Sequence, residues 1–127
     1  EHQNLIKVDK AFFENENIYL RDTGRILTSF SDEQNLEKII ERWGMPQENW
    51  NDINDLDSLK KAIEKIKKTG YSLSYTENNS IVSIAVPVFC SPLGALGCFA
   101  PVFRCGSEKQ QLMLEHMKQA AKRIEEL

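Results

Sequence analysis

The sequence has 127 residues, the length of one domain with a core of its own. Its formal net charge is −3, with 16 Lys and Arg interleaved among 19 Asp and Glu, so it lacks the basic cluster that duplex DNA requires. The longest apolar stretch, residues 81–89, is far shorter than the roughly 20 residues of a membrane-spanning helix. No secretory leader pattern opens the sequence. We therefore expect a cytoplasmic domain that contacts neither nucleic acid nor membrane.

The first part of the chain is predicted to contain short strands followed by two helices. Weak alternation of apolar residues over 5–13 indicates one or two strands. The segment 18–30 has apolar residues near its end at helical spacing, which favours a short helix. Ser31 is the predicted N-cap of a second helix, with Gln34 in the capping-box position, and Gly44 ends that helix.

Two further helices are predicted after a polar connection over residues 46–54. Apolar spacing indicates a helix from about Asp55 to Thr69, which Gly70 ends. The last helix is predicted to begin with Ser107 as its N-cap and carries a stripe of apolar residues along one side.

Three strands are predicted between these two helices. Residues 71–76 alternate between large apolar side chains and Ser or Thr, the pattern of a half-buried strand. Residues 81–89 are nearly all apolar and indicate a central strand, and 95–103 form its antiparallel partner. Because helices and antiparallel strands are segregated in the sequence, the fold class is α+β, with helices covering one face of the sheet.

Residues suited to catalysis or to metal binding are sparse. Cys90, Cys98 and Cys105 form neither the short pairs of a zinc site nor a disulfide framework, and we expect thiols in a reducing compartment. No arrangement supports catalysis by a cysteine with His116, although an enzyme with one accessible, low-pKa thiol stays open as a minor alternative. The sequence thus predicts no catalytic residue, no metal ion and no cofactor.

The apolar hairpin carries a few small polar side chains: Ser74, Ser83 and Cys98, with Thr23 across from them if the early helix packs there. A largely apolar cavity with two or three placed polar atoms is how proteins commonly hold small organic ligands. The alternative is that these residues complete the core, and the pattern by itself does not separate the two.

Four segments, in order, resemble the effector-binding domain of IclR-type regulators. K-T-G-Y at 68–71 resembles the family's R-x-x-G-Y helix end, and S-I-A-V-P-V-F at 83–89 resembles its I-A-x-P-V-F strand. T-G-R-I-L at 23–27 is similar to G-K-A-L-L-A, and A-A-K-R-I at 120–124 to the closing A-A-x-x-I helix. The resemblance extends over roughly residues 20–127.

The resemblance implies a GAF-like sensor fold, in which helices flank an antiparallel sheet. Such domains bind small organic acids or aromatic metabolites, associate as dimers or dimers of dimers, and bias an attached winged helix-turn-helix. We expect residues 1–127 to be one such effector-binding domain without its DNA-binding part. Its N-terminal portion is shorter than is usual in the family, and its first residue is Glu1 rather than Met, which indicates a fragment.

The family's ligand contacts carry over with several departures. Its helix-terminal backbone amides fall at Asp22 and Thr23, its acidic residue at Ser74, and a frequent Cys at Ser83. The two serines that the family has in its last strand fall near Pro101 and Phe103. The ligand-binding residues that the pattern and the resemblance predict are Asp22, Thr23, Ser74, Ser83, Ala85, Cys98, Pro101 and Phe103. The departures remove hydrogen-bond partners for a carboxylate, which predicts a more apolar effector than a two- or three-carbon acid, or a vestigial pocket.

The leading hypothesis is therefore a ligand-sensing regulatory domain of a bacterial transcription regulator. It would bind a small organic metabolite, form a homo-oligomer and modulate an attached or partner DNA-binding domain. The alternative is a GAF-like dimerisation module without a functional pocket. Stabilisation by a ligand distinguishes the two.

Overall fold

The computed structural model describes residues 16–76 and 78–127. The helices and strands along these residues are α1 (Asp22–Ser29), α2 (Glu33–Trp43), α3 (Leu56–Thr69), β1 (Ser72–Thr76), β2 (Ile81–Val88), β3 (Gly94–Pro101) and α4 (Ser107–Glu125). Two 3₁₀ turns, Ile18–Leu20 and Val102–Arg104, precede α1 and α4. The strands predicted within 5–13 lie outside the described residues.

The strands form one antiparallel sheet in the order β1–β2–β3, which confirms the α+β class. Ser72 of β1 lies opposite Ala85 of β2, and Ala85 lies opposite Gly97 of β3. These three small residues form a row across the sheet. Because side chains two residues apart along a strand point to the same face, Ser74 and Ser83 share that face.

Helices cover both faces of this sheet, as the resemblance implied, whereas the order of helices and strands had predicted cover on one face only. On the first face Ala85 packs in a cluster with Tyr19, Ile26, Trp50, Ile53, Leu59, Ile63 and Ile66, from α1, α3 and the segments before them. On the second face β2 packs against α4 in a cluster of Val82, Ile84, Val86, Val88, Leu114, Met117 and Ala121. The reason is visible in β2, where residues 84–88 are all buried, as in a strand that is covered on both sides.

The helix ends follow local capping chemistry, with two corrections to the prediction. Asp32, not Ser31, caps α2, because its carboxylate accepts the amide of Asn35 at 2.8 Å. The Ser31 hydroxyl instead donates to the carbonyl of Thr28 at the end of α1. Ser107 is the first residue of α4 rather than its cap.

The prediction of α3 is confirmed at both ends. Asp55 caps the helix by accepting the amide of Ser58 at 2.8 Å, and this bond lowers the pKa of the Asp55 carboxyl. Gly70 ends the helix in the left-handed conformation, with a φ of +83°.

The strand β1 is half-buried, as predicted. Tyr71 and Leu73 pack against the second cluster. In the structure Ser72 is 6% exposed and Tyr75 is 46% exposed. The serine side of β1 lies under α1, so a face that reads as polar in the sequence is an interior face here.

Tyr19 lies at the centre of the first cluster, fully buried, and its hydroxyl donates to the carbonyl of Gly44 at 2.8 Å. Burial raises the pKa of Tyr19 to about 12 from its ordinary value of 10.0. The folded state therefore favours the neutral phenol. The stability that this group contributes is complete below pH 10 and is lost as the pH rises through 12.

We expect the free energy of unfolding of the wild type to fall more steeply between pH 10 and pH 12 than that of Tyr19→Phe. Near neutral pH the variant should be less stable by about 1 kcal/mol, since it loses one buried hydrogen bond. Urea unfolding at a series of alkaline pH values measures both. Parallel pH profiles for the two proteins would show that Tyr19 does not drive the alkaline transition.

Candidate functional site

The N-terminus of α1 lies directly on the row of small residues that crosses the sheet. Asp22 contacts the Ser72 end of the row, and Thr23 contacts the Gly97 end. A Cβ atom on Gly97 would lie 2.6 Å from the Cγ2 atom of Thr23, closer than packed carbon atoms approach. The absence of a side chain at Gly97 therefore lets the start of α1 reach the sheet.

Gly24 allows a second close approach, between α1 and the 3₁₀ turn before it. A Cβ atom on Gly24 would overlap the carbonyl oxygen of Ile18. That oxygen belongs to the backbone, so it cannot be moved by a change of rotamer. Together the two glycines fix where the first residue of α1 is held.

The Asp22 carboxylate is buried, with 3% of the residue exposed, and both of its oxygens accept hydrogen bonds from β1. Ser72 Oγ donates to Oδ1 at 2.6 Å, and Ser74 Oγ donates to Oδ2 at 2.6 Å. A negative charge at the first position of a helix is also favoured by the helix dipole. The two serines that alternate along β1 thus form a pair of donors for one carboxylate.

Arg25 supplies the positive charge beside this carboxylate. Its Nη1 atom is 3.7 Å from Asp22 Oδ1, and its side chain is 11% exposed. Nε donates to the carbonyl of Tyr19 and Nη2 to the carbonyl of Asn49, each at 2.8 Å. Burial lowers the pKa of the Arg25 guanidinium, and the charge of Asp22 acts in the opposite direction. The guanidinium therefore joins α1 to the segment that precedes α3.

That segment, predicted only as a polar connection, forms one wall of the site. Within it Trp50 is 4% exposed and Ile53 is 7% exposed, and residues 47 and 53 pair in a short antiparallel bridge. The Trp50 ring lies 5.4 Å from the guanidinium carbon of Arg25, a distance typical of a cation–π contact.

A cavity of about 630 Å³ lies beside the Asp22–Arg25 pair. Its walls come from the connection before α3, from α3 and from β1, together with Arg25 of α1. The lining residues on the three walls include Glu48, Asn49, Trp50, Ala62, Lys65, Ile66, Thr69, Ser72, Ser74 and Thr76. This volume falls within the range of about 300–1,000 Å³ that is usual for small-molecule pockets. The wall has aromatic and aliphatic parts and two hydroxyl groups that already bind Asp22.

A second depression, of about 640 Å³, lies on another side of the molecule. It is lined by α2, the end of α1 and the turn before β3, including Phe30, Trp43 and Leu93. None of the residues predicted to bind ligand lies in its wall, so the first cavity is the candidate site.

Five of the predicted residues lie together on the first face of the sheet or against it: Asp22, Thr23, Ser74, Ser83 and Ala85. Of these, Ser74 lines the cavity, while Ser83 and Ala85 belong to β2, which contributes no residue to its wall among the described residues. Asp22 contributes its carboxylate rather than only the backbone amide that the resemblance implied.

Of the other three predicted residues, Cys98 and Phe103 lie away from that face of the sheet, and Pro101 lies at its edge. Cys98 lies opposite Ile84, so it belongs to the face covered by α4, and its Sγ atom is 3.6 Å from the Sδ atom of Met113. Pro101 lies opposite Ile81, on the same face of the sheet as Ser83, but at the exposed end of β3. Phe103 lies beyond β3 in a 3₁₀ turn and is 82% exposed.

Sequence reasoning missed Arg25, Ser72 and the cavity wall around Asn49 and Trp50. Arg25 was noted only as part of the T-G-R-I-L segment, and Ser72 only as part of the alternating pattern of β1. An isolated Trp in a polar connection was the feature that could have indicated a buried wall, since a large aromatic side chain is seldom left in solvent.

Over residues 16–76 and 78–127, no group of three or more His, Cys, Asp or Glu side chains is placed to hold a metal ion. None of the helices there combines the length and the apolarity that crossing a bilayer demands.

Several solved structures have a similar fold. The C-terminal domain of the E. coli transcriptional regulator KdgR matches with a TM-score of 0.69 at 22% identity, over 85% of this chain and 68% of that chain. The IclR protein of Thermotoga maritima matches with a TM-score of 0.68 at 24% identity, over 86% and 46%. A double mutant of the inducer-binding domain of PobR from Acinetobacter, in complex with 3-hydroxybenzoic acid, has a TM-score of 0.67 at 22% identity, over 85% and 65%. This chain therefore spans between about half and two thirds of the length of these relatives.

No curated protein sequence matches the chain significantly. The family described as "Bacterial transcriptional regulator IclR C-terminal" matches residues 1–126. This is a family of effector-binding domains of transcription regulators and not of enzymes. Since the match extends over nearly the whole sequence, the chain belongs to the IclR C-terminal family of bacterial transcriptional regulators.

Proposed function

We propose that this domain senses a small organic effector, which occupies the cavity between β1, α3 and the connection that precedes α3. The observation that carries the proposal is the cavity itself, about 630 Å³ with mixed aromatic, aliphatic and hydroxyl walls, in a member of a regulator family. The PobR domain, whose fold is similar, holds 3-hydroxybenzoic acid, which supports an aromatic or apolar body for the effector.

The three walls give a ligand the means to influence the fold. A molecule in the cavity would touch α3, β1 and the segment tied to α1 through Arg25, elements that are far apart in the sequence. A ligand shifts a conformational equilibrium only by its difference in affinity for the two states. We propose that these walls close on the effector and that the closed state binds it more tightly than the open state. An attached or partner DNA-binding domain would respond to the closed state.

A dimerisation module is the second candidate function, favoured by two exposed aromatic side chains. Phe99 on β3 is 74% exposed and Phe103 is 82% exposed. Exposed apolar groups of this size are common where a partner subunit packs. In this case the domain would associate at micromolar concentration in sedimentation experiments, and no small molecule would change its stability.

The experiment that tests the sensor proposal is thermal unfolding against aromatic metabolites, sugar acids and their neutral amide or alcohol counterparts. A ligand that binds only the folded state stabilises it by about 2.7 kcal/mol at a hundredfold excess over its Kd. In a domain of this size, that stabilisation raises the Tm by several degrees. A flat result over the whole panel would favour the dimerisation module.

A matched pair of variants on α3 locates the ligand. Lys65 lines the cavity, whereas Lys67 is also exposed on the same helix and does not line it. We expect Lys65→Trp to reduce or abolish the ligand-induced rise in Tm, because the bulkier indole takes space that the ligand would occupy, and Lys67→Trp to retain it. Equal shifts in both variants would place the ligand elsewhere on the domain.

A further inference from the structure

Three residues that line the cavity, Ser72, Ser74 and Arg25, contact the buried carboxylate of Asp22, which does not itself line the cavity. Ser72 and Ser74 each place a hydroxyl 2.6 Å from one oxygen of the Asp22 carboxylate, and Arg25 lies 3.7 Å from Oδ1. Two neutral donors and one guanidinium around a planar anion are the groups that proteins use to bind carboxylate ligands. Here the anion is covalently part of the chain.

We propose that Asp22 acts as a resident carboxylate, which fills the anion-binding position of this site and makes the native domain selective for effectors without a carboxylate. The part of this inference that concerns selectivity for effectors rests on the proposed function. The anion-binding position has its own test, however, because it is probed with formate and variants of Asp22, without any effector.

The charges around the site support this selectivity. Asp22 and Arg25 form one negative and one positive group, both largely shielded from solvent, so the pair is balanced. The charge of Asp22 would repel a ligand carboxylate placed beside this pair. Both serine hydroxyls already donate to Asp22, so they are not available to the ligand. Glu48 and Lys65 in the cavity wall carry one negative and one positive charge, so the wall adds no net positive charge that would attract a carboxylate. Like charges that are poorly solvated repel each other strongly, so a carboxylate ligand is disfavoured.

Removal of the Asp22 side chain would reverse each of these conditions. Asp22→Ala retains Cβ and loses one carbon and two oxygens, the heavy atoms of a formate ion. It leaves Arg25 without its counter-charge and the hydroxyls of Ser72 and Ser74 without their acceptor. Small anions of that shape should therefore enter the vacated position, and formate should be preferred to acetate, which carries an additional methyl group.

The test compares the thermal unfolding of the wild type, Asp22→Ala and Asp22→Asn in sodium formate and in sodium chloride of equal ionic strength. We expect formate to raise the Tm of Asp22→Ala by several degrees relative to chloride, because at ten times its Kd a ligand shifts the folding equilibrium about 11-fold. The wild type and Asp22→Asn should not respond, since a side chain of full size fills the position in both.

Each outcome decides the matter. If Asp22→Ala does not fold in chloride, recovery of its circular dichroism in formate supports the proposal. Failure of Asp22→Ala to respond to formate, folded or not, while Asp22→Asn is folded, overturns it. An equal response of Asp22→Asn also overturns it, because no position is vacant in that variant. A separate finding that no effector binds the wild type would contradict the sensor function and leave this result standing.

Discussion

Replacement of Arg25 with Met is expected to lower the free energy of unfolding by about 3–5 kcal/mol, the usual cost of removing one partner of a buried ion pair. The variant leaves the Asp22 carboxylate buried with neutral donors only. It also leaves the carbonyl oxygens of Tyr19 and Asn49 without the hydrogen bonds that Arg25 donates. Met retains most of the apolar length of the side chain, so the loss reflects the guanidinium rather than a cavity.

A double-mutant cycle isolates the contribution of the charge. In the Asp22→Asn background the same Arg25→Met change should cost markedly less, because no buried carboxylate is left unpaired. Urea unfolding of the four proteins gives the coupling. If Arg25→Met costs as much in the Asp22→Asn background as in the wild type, Arg25 stabilises the fold through its two carbonyl bonds and not through Asp22.

Arg21 provides a control for the general effect of removing an arginine. Its side chain is 55% exposed and pairs with Glu16 at 3.1 Å. Ion pairs in solvent contribute about 1 kcal/mol or less. Arg21→Met should therefore remain within that range, although it removes the same chemical group from a neighbouring part of the chain.

The role of Arg25 connects the stability of the domain with the proposed sensing. The same guanidinium faces the carboxylate of α1, a carbonyl of the segment before α3 and the ring of Trp50. All of these groups border the cavity or support it. A ligand that displaces Asn49 or Trp50 would therefore alter the surroundings of a buried charge, and small movements there carry a large energetic consequence.

The helix α3 shows what the sequence could predict. Its apolar spacing and its end at Gly70 were predicted because they are local features, and the structure has the helix at the predicted position. The cap at Asp55 is a further local feature that the structure adds. The cap of α2 was assigned one residue early, because Ser31 and Asp32 are both good caps and are adjacent. The preceding turn decides between them, since Ser31 is used to bond back to Thr28.

The candidate site was predictable only in part. Asp22 came from the resemblance, and Ser74 came from the small polar residues of the hairpin as well as from the resemblance. The structure brings these two residues into contact across 52 positions of the chain. Such a contact leaves no local pattern. Which face a strand residue occupies also depends on register, and a slip of one residue exchanges the faces, which is why Cys98 was grouped with Ser83.

The orientation of the serines on β1 illustrates the same limit. Alternation of Ser with Tyr and Leu reads as a solvent face and a core face when one side of a strand is open. Here both sides are covered, and the polar side is buried because one carboxylate satisfies its hydroxyls. The alternation alone did not show that the serine side is interior, because its partner, Asp22, comes from elsewhere in the chain.

Gly24→Ala is expected to destabilise the domain by about 3 kcal/mol, the upper end of the usual range of about 1–3 kcal/mol for overpacking. The added methyl group meets the backbone carbonyl of Ile18, so relief requires that α1 or the preceding 3₁₀ turn move as a unit. Either movement withdraws Asp22 from Ser72 and Ser74, because Asp22 lies in the chain between Ile18 and Gly24. The change at one glycine should therefore disturb both the core and the proposed binding site.

Gly106→Ala is the matched control for this variant. A Cβ atom on Gly106 meets no other atom within 4 Å, and the residue has no positive φ. Both substitutions restrict the unfolded chain equally, an effect that by itself stabilises by about 0.4–1 kcal/mol. Gly106→Ala should thus change the free energy of urea unfolding by less than about 1 kcal/mol, while Gly24→Ala shows the collision with Ile18. If the two variants behave alike, the packing of α1 against the 3₁₀ turn is loose enough to accept a methyl group, and Gly24 does not fix the position of Asp22.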